Sequence, residues 1–444
     1  MAALVAAHRG AHITLVEEQR VGGTWLNARC IPTKSVTTAA DAPALCRGAG
    51  DFCLSVPQVD ADFPMLNAYR PRSIHQLVPG VEFLLGWRGI TAVAGEGRLV
   101  RLGLVSVFAA GKISEIPVCR IFLVPGSIAA EPPIEGGGLP GVTTSAEALR
   151  VDRGPVLLVV IRGGGIALEF GCVYEILGSP FTVLEMTSTS LPCATDAAIA
   201  GRVQSILQHR GMALQTGASV HEIVQGEEVL KVIASESVSE AQNILIATGR
   251  WPTPSSLNPT GLGLRMSGRA INIDNFMATN PSEVWAACGT VPGPMLAHKA
   301  MMEGRVVGED ITGGLRHADH RSVPKVIFTR TEVPVWTGRS ASVNQRRRNQ
   351  GFANPDVYQS SRAHPGRRRW SRSVELRHGP RPVPASPSAR PHVTDWIAEG
   401  ALAVTRGATV DDLTGTSHAY PVSPEPMLGA ALGFQGAATH MQSR

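Results

Sequence analysis

The segment Gly22-Gly23-Thr24-Trp25-Leu26-Asn27-Ala28-Arg29-Cys30-Ile31-Pro32-Thr33-Lys34 places one cysteine and one lysine behind a glycine turn. A cysteine in such a setting can serve as a thiolate nucleophile. Thiolate attack on a disulfide leaves a mixed disulfide, which a second thiol must resolve. This segment holds Cys30 alone, so a two-sulfur relay cannot close within it. The bland alternative makes Cys30 a buried structural cysteine and Lys34 an ordinary surface charge.

A second cluster can bind rather than react. Val156 to Glu185 reads VLLVVIRGGGIALEFGCVYEILGSPFTVLE. An apolar strand runs into glycines, then a helix, then a second apolar strand that ends in an acid. That is the layout of a dinucleotide-binding βαβ unit, with pyrophosphate on the helix N-terminus and the acid on the ribose hydroxyls. In the frame G-x-G-x-x-G/A, Arg162 stands where the first glycine makes the tight turn. Gly164 and Ala167 fit the second and third positions, around Gly163, Gly165 and Ile166. Glu185 has the spacing of a ribose acid and favours NAD over NADP, since it repels a 2′-phosphate. A glycine-rich surface loop is the competing reading, and the full strand–helix–strand–acid pattern argues against it.

The elements that must carry these residues are legible on either side. Ala2 to Ala7 reads as a helix, Ile13 to Val16 as a strand, and Glu17 as another acid at a strand end. Asn243 to Ile246 reads as a strand that leads into Ala247-Thr248-Gly249-Arg250.

Taken together, these motifs resemble the dihydrolipoamide dehydrogenase family, the class I pyridine nucleotide-disulfide oxidoreductases. The first segment resembles G-G-T-C-L-N-x-x-C-I-P-[ST]-K, with Trp25 in place of the first cysteine. Trp285 to Ala300 resembles Y-A-I-G-D-x-x-x-G-P-M-L-A-H-K-A, with Cys288 and Gly289 at the glycine–aspartate pair. Val124-Pro125-Gly126 stands where the family has A-T-G. Val323 to Val333 resembles the start of the family's dimerisation domain. His418-Ala419-Tyr420-Pro421 resembles its H-A-H-P, with Tyr420 at the acid–base histidine and Glu425 at the glutamate that orients it. A tyrosine, with a pKa near 10, is a poor neutral-pH substitute for a histidine.

The resemblance implies an α/β fold: two Rossmann-type dinucleotide-binding domains, for FAD and NAD, plus a C-terminal α+β dimerisation domain. Residues 1–148 and 272–316 would form the FAD domain, 149–271 the NAD domain and 321–444 the interface domain. Within the FAD domain, the first strand and its glycine loop are expected to be missing. The implied catalytic positions are Cys30 and Glu425. The implied cofactor contacts are Glu17, Gly22, Gly23, Thr24, Lys34, Gly126, Gly163, Gly164, Gly165, Ile166, Ala167, Glu169, Glu185, Gly249, Gly289, Met295, Leu296, Ala297 and His298. Lys34 and Glu169 match the pair beside the flavin N5. His298 is a base by type, yet the family uses its segment for backbone contacts to flavin. The implied chemistry passes electrons between NAD and a dithiol through FAD. The implied partners are a second copy of the chain and a lipoyl-bearing 2-oxo acid dehydrogenase complex. With Trp25, Tyr420 and Gly289 in place, the expected native activity is impaired or absent. The alternatives are a diaphorase or transhydrogenase that needs no dithiol, and a non-enzymatic remnant that keeps an NAD-binding domain.

Composition bounds the rest. A chain of 444 residues, 43% hydrophobic, can bury more than one core. No run of eighteen apolar residues is present, so no membrane helix is expected, and no signal peptide is evident. The seven cysteines are odd in number and show no C-x-x-C spacing. This argues against a disulfide framework and a zinc site, and suits a reducing cytoplasm. The net charge of +5 has one source. Residues 344–391 hold eleven arginines against Asp356 and Glu375, and the rest of the chain has 30 basic and 34 acidic residues. That segment is Pro- and Ser-rich, without strand or helix period, and reads as loop or disorder. A nucleic-acid role for its arginines is the weaker reading, because Arg runs are common in such segments. Family-like sequence stops near Gln345 and resumes near Pro391 with spacing kept, as a compensated frameshift would produce; the nucleotide sequence tests this.

Overall fold

A computed structural model of the chain describes residues 1–57, 62–145, 147–148, 157–189, 197–209, 211–259, 261–329, 332–336, 393–419 and 425–434. The expectations for residues 346–390 and for Tyr420 lie outside the described residues. The chain divides into two units. The first takes Met1–Cys46, Pro57–Pro192 and Gln204–Ala318; the second takes Arg47–Val56, Cys193–Val203 and Asp319–Arg444.

The first unit is built around parallel pairing. Helix α1 (Ala2–His8) precedes β1 (Thr14–Glu17), as the sequence suggests. Helices α2 (Gly23–Asn27), α3 (Cys30–Arg47) and α4 (Phe63–Trp87) follow. Strand β2 (Thr91–Ala94) then pairs parallel with β1. Strands β3 (Glu96–Arg101), β4 (Leu104–Ala109) and β5 (Lys112–Pro117) form an antiparallel meander. Next come β6 (Ile121–Leu123), β7 (Ser127–Ala129) and β8 (Val142–Thr144).

The largest sheet has five parallel strands. Its centre is β9 (Leu158–Ile161), buried at every position, which enters α5 (Gly165–Ile176) through the glycine cluster. Strand β10 (Phe181–Glu185) returns beside β9, and β11 (Ala213–Thr216) adds on at the edge. On the other side stands β15 (Asn243–Ile246), then β8. Helix α6 (Ala197–His209) crosses the division between the units. A three-stranded antiparallel sheet, β12 (Val220–Gln225), β13 (Leu230–Ala234) and β14 (Val238–Ala241), completes the core that holds Val159, Ile161, Leu184, Ile223, Val232 and Ile244. Near-continuous apolar runs of this kind are what a parallel sheet covered on both faces requires.

Helix α5 has little room against β10. A Cβ at Gly171 would lie 2.2 Å from the Phe181 ring, so glycine permits the close approach. Helix α3 docks on α5 by four-residue spacing: Val36, Ala40 and Ala44 meet Val173, Ile176 and Leu177. Beyond β15, β16 (Arg250–Pro252) pairs antiparallel with β7. After the hairpin β17 (Met266–Ser267) and β18 (Ala270–Ile271), β19 (Val284–Ala286) pairs parallel with β6. The chain then turns into α7 (Ala297–Asp310), whose Val306 and Val307 share a core with Ala2, Ile271 and Trp285.

The second unit holds the hairpin β20 (Pro324–Ile327) and β21 (Val333–Trp336), with helices α8 (Val393–Arg406), α9 (Val410–Thr414) and α10 (Glu425–Phe434). Glu332 accepts from the Thr394 N–H at 3.0 Å, joining the hairpin to α8. Thr409 and Asp412 make a capping box at the start of α9.

Candidate active site

Strand β9 ends at Ile161 and the chain turns at once. Arg162 takes φ +84°, a left-handed conformation that glycine adopts freely and arginine does not. Its N–H donates to the Leu184 carbonyl at 2.7 Å. Its guanidinium donates to the Thr248 carbonyl, and Gly249, at φ +118°, leaves room for it. The next N–H, from Gly163, donates to Glu185 Oε2 at 2.7 Å. Oε1 of the same carboxylate accepts from Thr187 N–H and Oγ1, both at 2.8 Å. Glu185 is only 2% exposed, so these three donors satisfy a buried charge. Gly164 is the N-cap of α5, no side chain caps that end, and a Cβ there would meet nothing within 4 Å. The sequence-chosen residues Gly163, Gly164, Gly165, Ile166, Ala167, Glu185 and Gly249 therefore come together at one sheet end.

The Cys30 segment is held by its own turn. Gly22 and Gly23 take φ +101° and +63°, and a Cβ on Gly22 would lie 2.4 Å from Leu26 Cδ2. Leu26 is fully buried. Asn27 Nδ2 donates to the Val21 and Gly23 carbonyls, each at 3.1 Å. Trp25 is half-buried on α2, Thr24 is exposed, and Cys30 is exposed at the first residue of α3. One turn on, Lys34 Nζ meets Glu169 Oε2 of α5 at 2.8 Å. The pair that the resemblance implies is thus assembled, and it ties the cysteine helix to the helix behind the glycine loop.

Two arginines that sequence reasoning passed over stand close by. Burial lowers the Arg29 pKa, against the pull of Cys30 and Glu169. Burial also lowers that of Arg250, and repulsion from Arg29 adds to the effect. Arg250 Nε donates to Ser127 Oγ at 2.8 Å. Ser127 in turn crowds Gly289, where a Cβ would lie 3.0 Å from its Oγ. Gly126, at φ +89°, precedes it with open space above. Gly126 and Gly289 are thus neighbours, and Arg250 links them electrostatically to Cys30. Both arginines sit inside quoted motifs, Arg29 beside Cys30 and Arg250 at the end of Ala247-Thr248-Gly249-Arg250, but nothing in the sequence brings the two together.

Cys288, Gly289 and Thr290 form one turn of 3-10 helix, with Cys288 at φ +72°. Met295 and Leu296 lead into α7; Leu296 is its N-cap, without a side-chain cap, and Ala297 and His298 open its first turn. His298 is exposed. Elsewhere, Glu17 ends β1 and accepts from Gln19 N–H at 3.1 Å. In the second unit Glu425 opens α10. His418 Nε2 lies 3.0 Å from Glu399 Oε1. Among the described residues no group of three or more His, Cys, Asp and Glu could hold a metal ion, and none of the six cysteines described forms a disulfide. Nor is any described helix long and apolar enough to cross a membrane.

The residues present fit the NAD loop that the pattern implies and part of the flavin site. At the nucleotide loop, an uncapped helix N-terminus faces open space at Gly164. At the flavin side, the buried Asn27 Oδ1 has no hydrogen-bond partner, and the start of α7 is uncapped.

Comparison with known proteins agrees with this geometry. The model of the family described as pyridine nucleotide-disulphide oxidoreductase matches residues 1–304. Dihydrolipoyl dehydrogenase of Pseudomonas aeruginosa is 32% identical, over 99% of this chain and 96% of its own. The Geobacillus stearothermophilus dihydrolipoyl dehydrogenase is 28% identical, over 99% and 95%. Among solved structures, the HOCl-induced flavoprotein disulfide reductase RclA from Escherichia coli is 26% identical, with a TM-score of 0.66 over 75% of this chain and 73% of its own. LpdA from Mycobacterium tuberculosis shares the fold at a TM-score of 0.79, covering 98% and 96% at 22% identity. Proteins of this kind use FAD and NAD(H). On the matched family and the length of its likeness to these relatives, the chain belongs to the pyridine nucleotide-disulphide oxidoreductase family.

Proposed function

We propose that the chain is a dihydrolipoamide dehydrogenase-like flavoprotein whose dithiol step is lost while its dinucleotide chemistry is retained. The observation that carries this is the pairing of an assembled nucleotide loop and Lys34–Glu169 contact with a single sulfur at Cys30. FAD, when bound, relays electrons between the nicotinamide and the sulfur side. Gly22, Gly23, Thr24, Lys34, Gly126, Gly289 and the Met295–His298 stretch would hold it, with Glu17 toward its ribose. Gly163 to Ala167, Glu185 and Gly249 would hold NAD. Cys30 can attack a disulfide, but Trp25 supplies no thiol to release the product. Tyr420 stands beyond Glu399 and His418 in the chain, where a proton carrier with a neutral-range pKa is required.

We assign residues 149–271 to the NAD domain, 1–148 and 272–316 to the FAD domain and 321–444 to the interface domain. The edge strand β8 is the exception to that division: it falls within 1–148 yet pairs with β15 in the sheet of the NAD side. A homodimer, association with a lipoyl-bearing complex and a cytoplasmic setting belong to the same reading. A second reading, NADH oxidation by an artificial acceptor without a dithiol, is favoured by the intact Lys34–Glu169 pair.

The test is a visible spectrum of the purified protein, followed by two assays. We expect a flavin band, NADH oxidation with a quinone acceptor, and no NADH-dependent lipoamide reduction above a heat-killed control. Trp25→Cys alone should not restore lipoamide turnover, because Tyr420 remains. Robust lipoamide reduction by the chain as written would refute the proposal.

A further inference from the structure

Helix α7 carries a fully buried ion pair that none of the chemistry above uses. Lys299 Nζ lies 2.5 Å from Glu303 Oε1, one turn further along the helix, with the two side chains 1% and 0% exposed. Such a pair is costly to desolvate and is weak evidence for stability in itself. Its second oxygen shows what it holds: Glu303 Oε2 accepts the Cys288 N–H at 2.8 Å. Cys288 is the residue at φ +72°, a conformation that a side chain disfavours and that its surroundings must therefore impose. Just behind the turn, Thr290 Oγ1 donates to the Ala287 carbonyl at 2.6 Å. At the far end of the same loop, Gly293 takes φ +106°, and a Cβ there would lie 3.2 Å from Lys299 Cε. The lysine stem thus runs where only a glycine leaves space. One buried pair grips both ends of the loop 288–293.

We infer that Lys299 and Glu303 are positioning residues: they fix the Cys288–Thr290 turn and so present Gly289 to the flavin. The flavin half of this statement rests on the proposed function; the hold on the turn does not. Lys299 lies against one Glu303 oxygen in a site closed to water. The other Glu303 oxygen, Oε2, takes the strained N–H. The Cys288 thiol reports on this directly, because burial and the Glu303 charge raise its pKa to about 12, while Lys299 and the amino-terminal ammonium oppose them.

The experiment is native-state maleimide labelling of the full chain, with adducts counted at each cysteine by mass spectrometry. Buried Cys172, on α5 of the same unit, is the control for general opening. Lys299→Met/Glu303→Leu replaces the pair with apolar side chains of similar size, an exchange that buried ion pairs tolerate. It leaves Cys288 N–H without an acceptor. Lys299→Met/Glu303→Gln removes the same charges but keeps an acceptor. We expect Cys288 to label about tenfold faster in the Leu variant, with Cys172 unchanged, and the Gln variant to return most of the way to wild type. FAD affinity, read by flavin fluorescence, should fall in the same order. Equal Cys288 labelling in the two variants would overturn the inference, as would a joint rise of Cys172 and Cys288. If the wild type binds no FAD, the proposed function fails while the labelling result still decides the positioning role.

Discussion

Two strands of this molecule end in an acid, and the structure treats them differently. Strand β10 lies between β9 and β11, and Glu185 at its end is buried under three donors. Strand β1 pairs with β2 alone among the described residues, and Glu17 at its end accepts from Gln19 in its own turn. The difference is in the neighbours. Beside Glu185 runs the loop from β9, whose Gly163 N–H points at the carboxylate. A carboxylate becomes a fixed part of a site when an adjacent strand delivers donors to it, since an ion leaves water only where its hydrogen bonds are replaced.

The largest effects that separate the two regions are in packing. Leu184 is 1% exposed within β10, whereas Leu15 is half-exposed in β1. Leu184→Ala should cost about 2–5 kcal/mol, through lost transfer energy and a cavity. Leu15→Ala should cost about 1 kcal/mol. Urea denaturation of the two variants makes the comparison, and equal costs would break it. Next in size are the acids themselves. Glu185→Ala strands the Gly163 and Thr187 N–H groups, which should cost roughly 1–3 kcal/mol or more, while the Thr187 hydroxyl keeps the Thr189 carbonyl as its acceptor. Glu17→Ala should stay within about 0.5 kcal/mol, since Glu17 is half-buried and its carboxylate accepts only from its own turn among the hydrogen bonds described. The same denaturation curves report both.

From the strand ends alone these two acids look alike; only the glycine loop ahead of Glu185 sets them apart in the sequence, and the reason is physical. An apolar run ending in an acid is a local pattern, and local patterns set strands and helices. The α1 and β1 spans, the β9–α5–β10 order and the position of Glu185 were all legible because periodicity and glycine placement fix them within a few residues. Lys34 and Glu169 were reachable only by resemblance, since 135 positions separate them. Arg250 was not reachable, because nothing near it announces that it approaches Cys30; Arg29 precedes Cys30 directly, but its burial is not written in the sequence. Glu303 was half visible: its four-residue spacing from Lys299 says that the two can pair on a helix. That spacing is equally common on exposed helix faces, and burial is decided by α1, which packs on α7 at Gly304 and Gly308, and by the loop that carries Cys288.

The smallest of these effects tests whether the better-packed region is also the less strained one, and it is not. Arg162 sits at the junction of β9 and α5 with φ +84°, at the end of a strand that is buried at every position. A non-glycine residue in a sparsely populated region costs about 1–3 kcal/mol. Glycine there removes that strain but makes the unfolded chain freer, which returns roughly 0.5–1 kcal/mol. The guanidinium contact with the Thr248 carbonyl is also lost. Arg162→Gly should therefore raise stability by about 1 kcal/mol at most. It should raise NADH affinity more clearly, because the turn before Gly164 can then close without a side chain beside Gly249. Calorimetry with NADH and thermal melting separate the two terms. If affinity falls while stability rises, the arginine is a phosphate ligand, as a guanidinium can be, and the turn is shaped for it. If both fall, the Thr248 contact outweighs the strain, and the left-handed residue is a support of the sheet end.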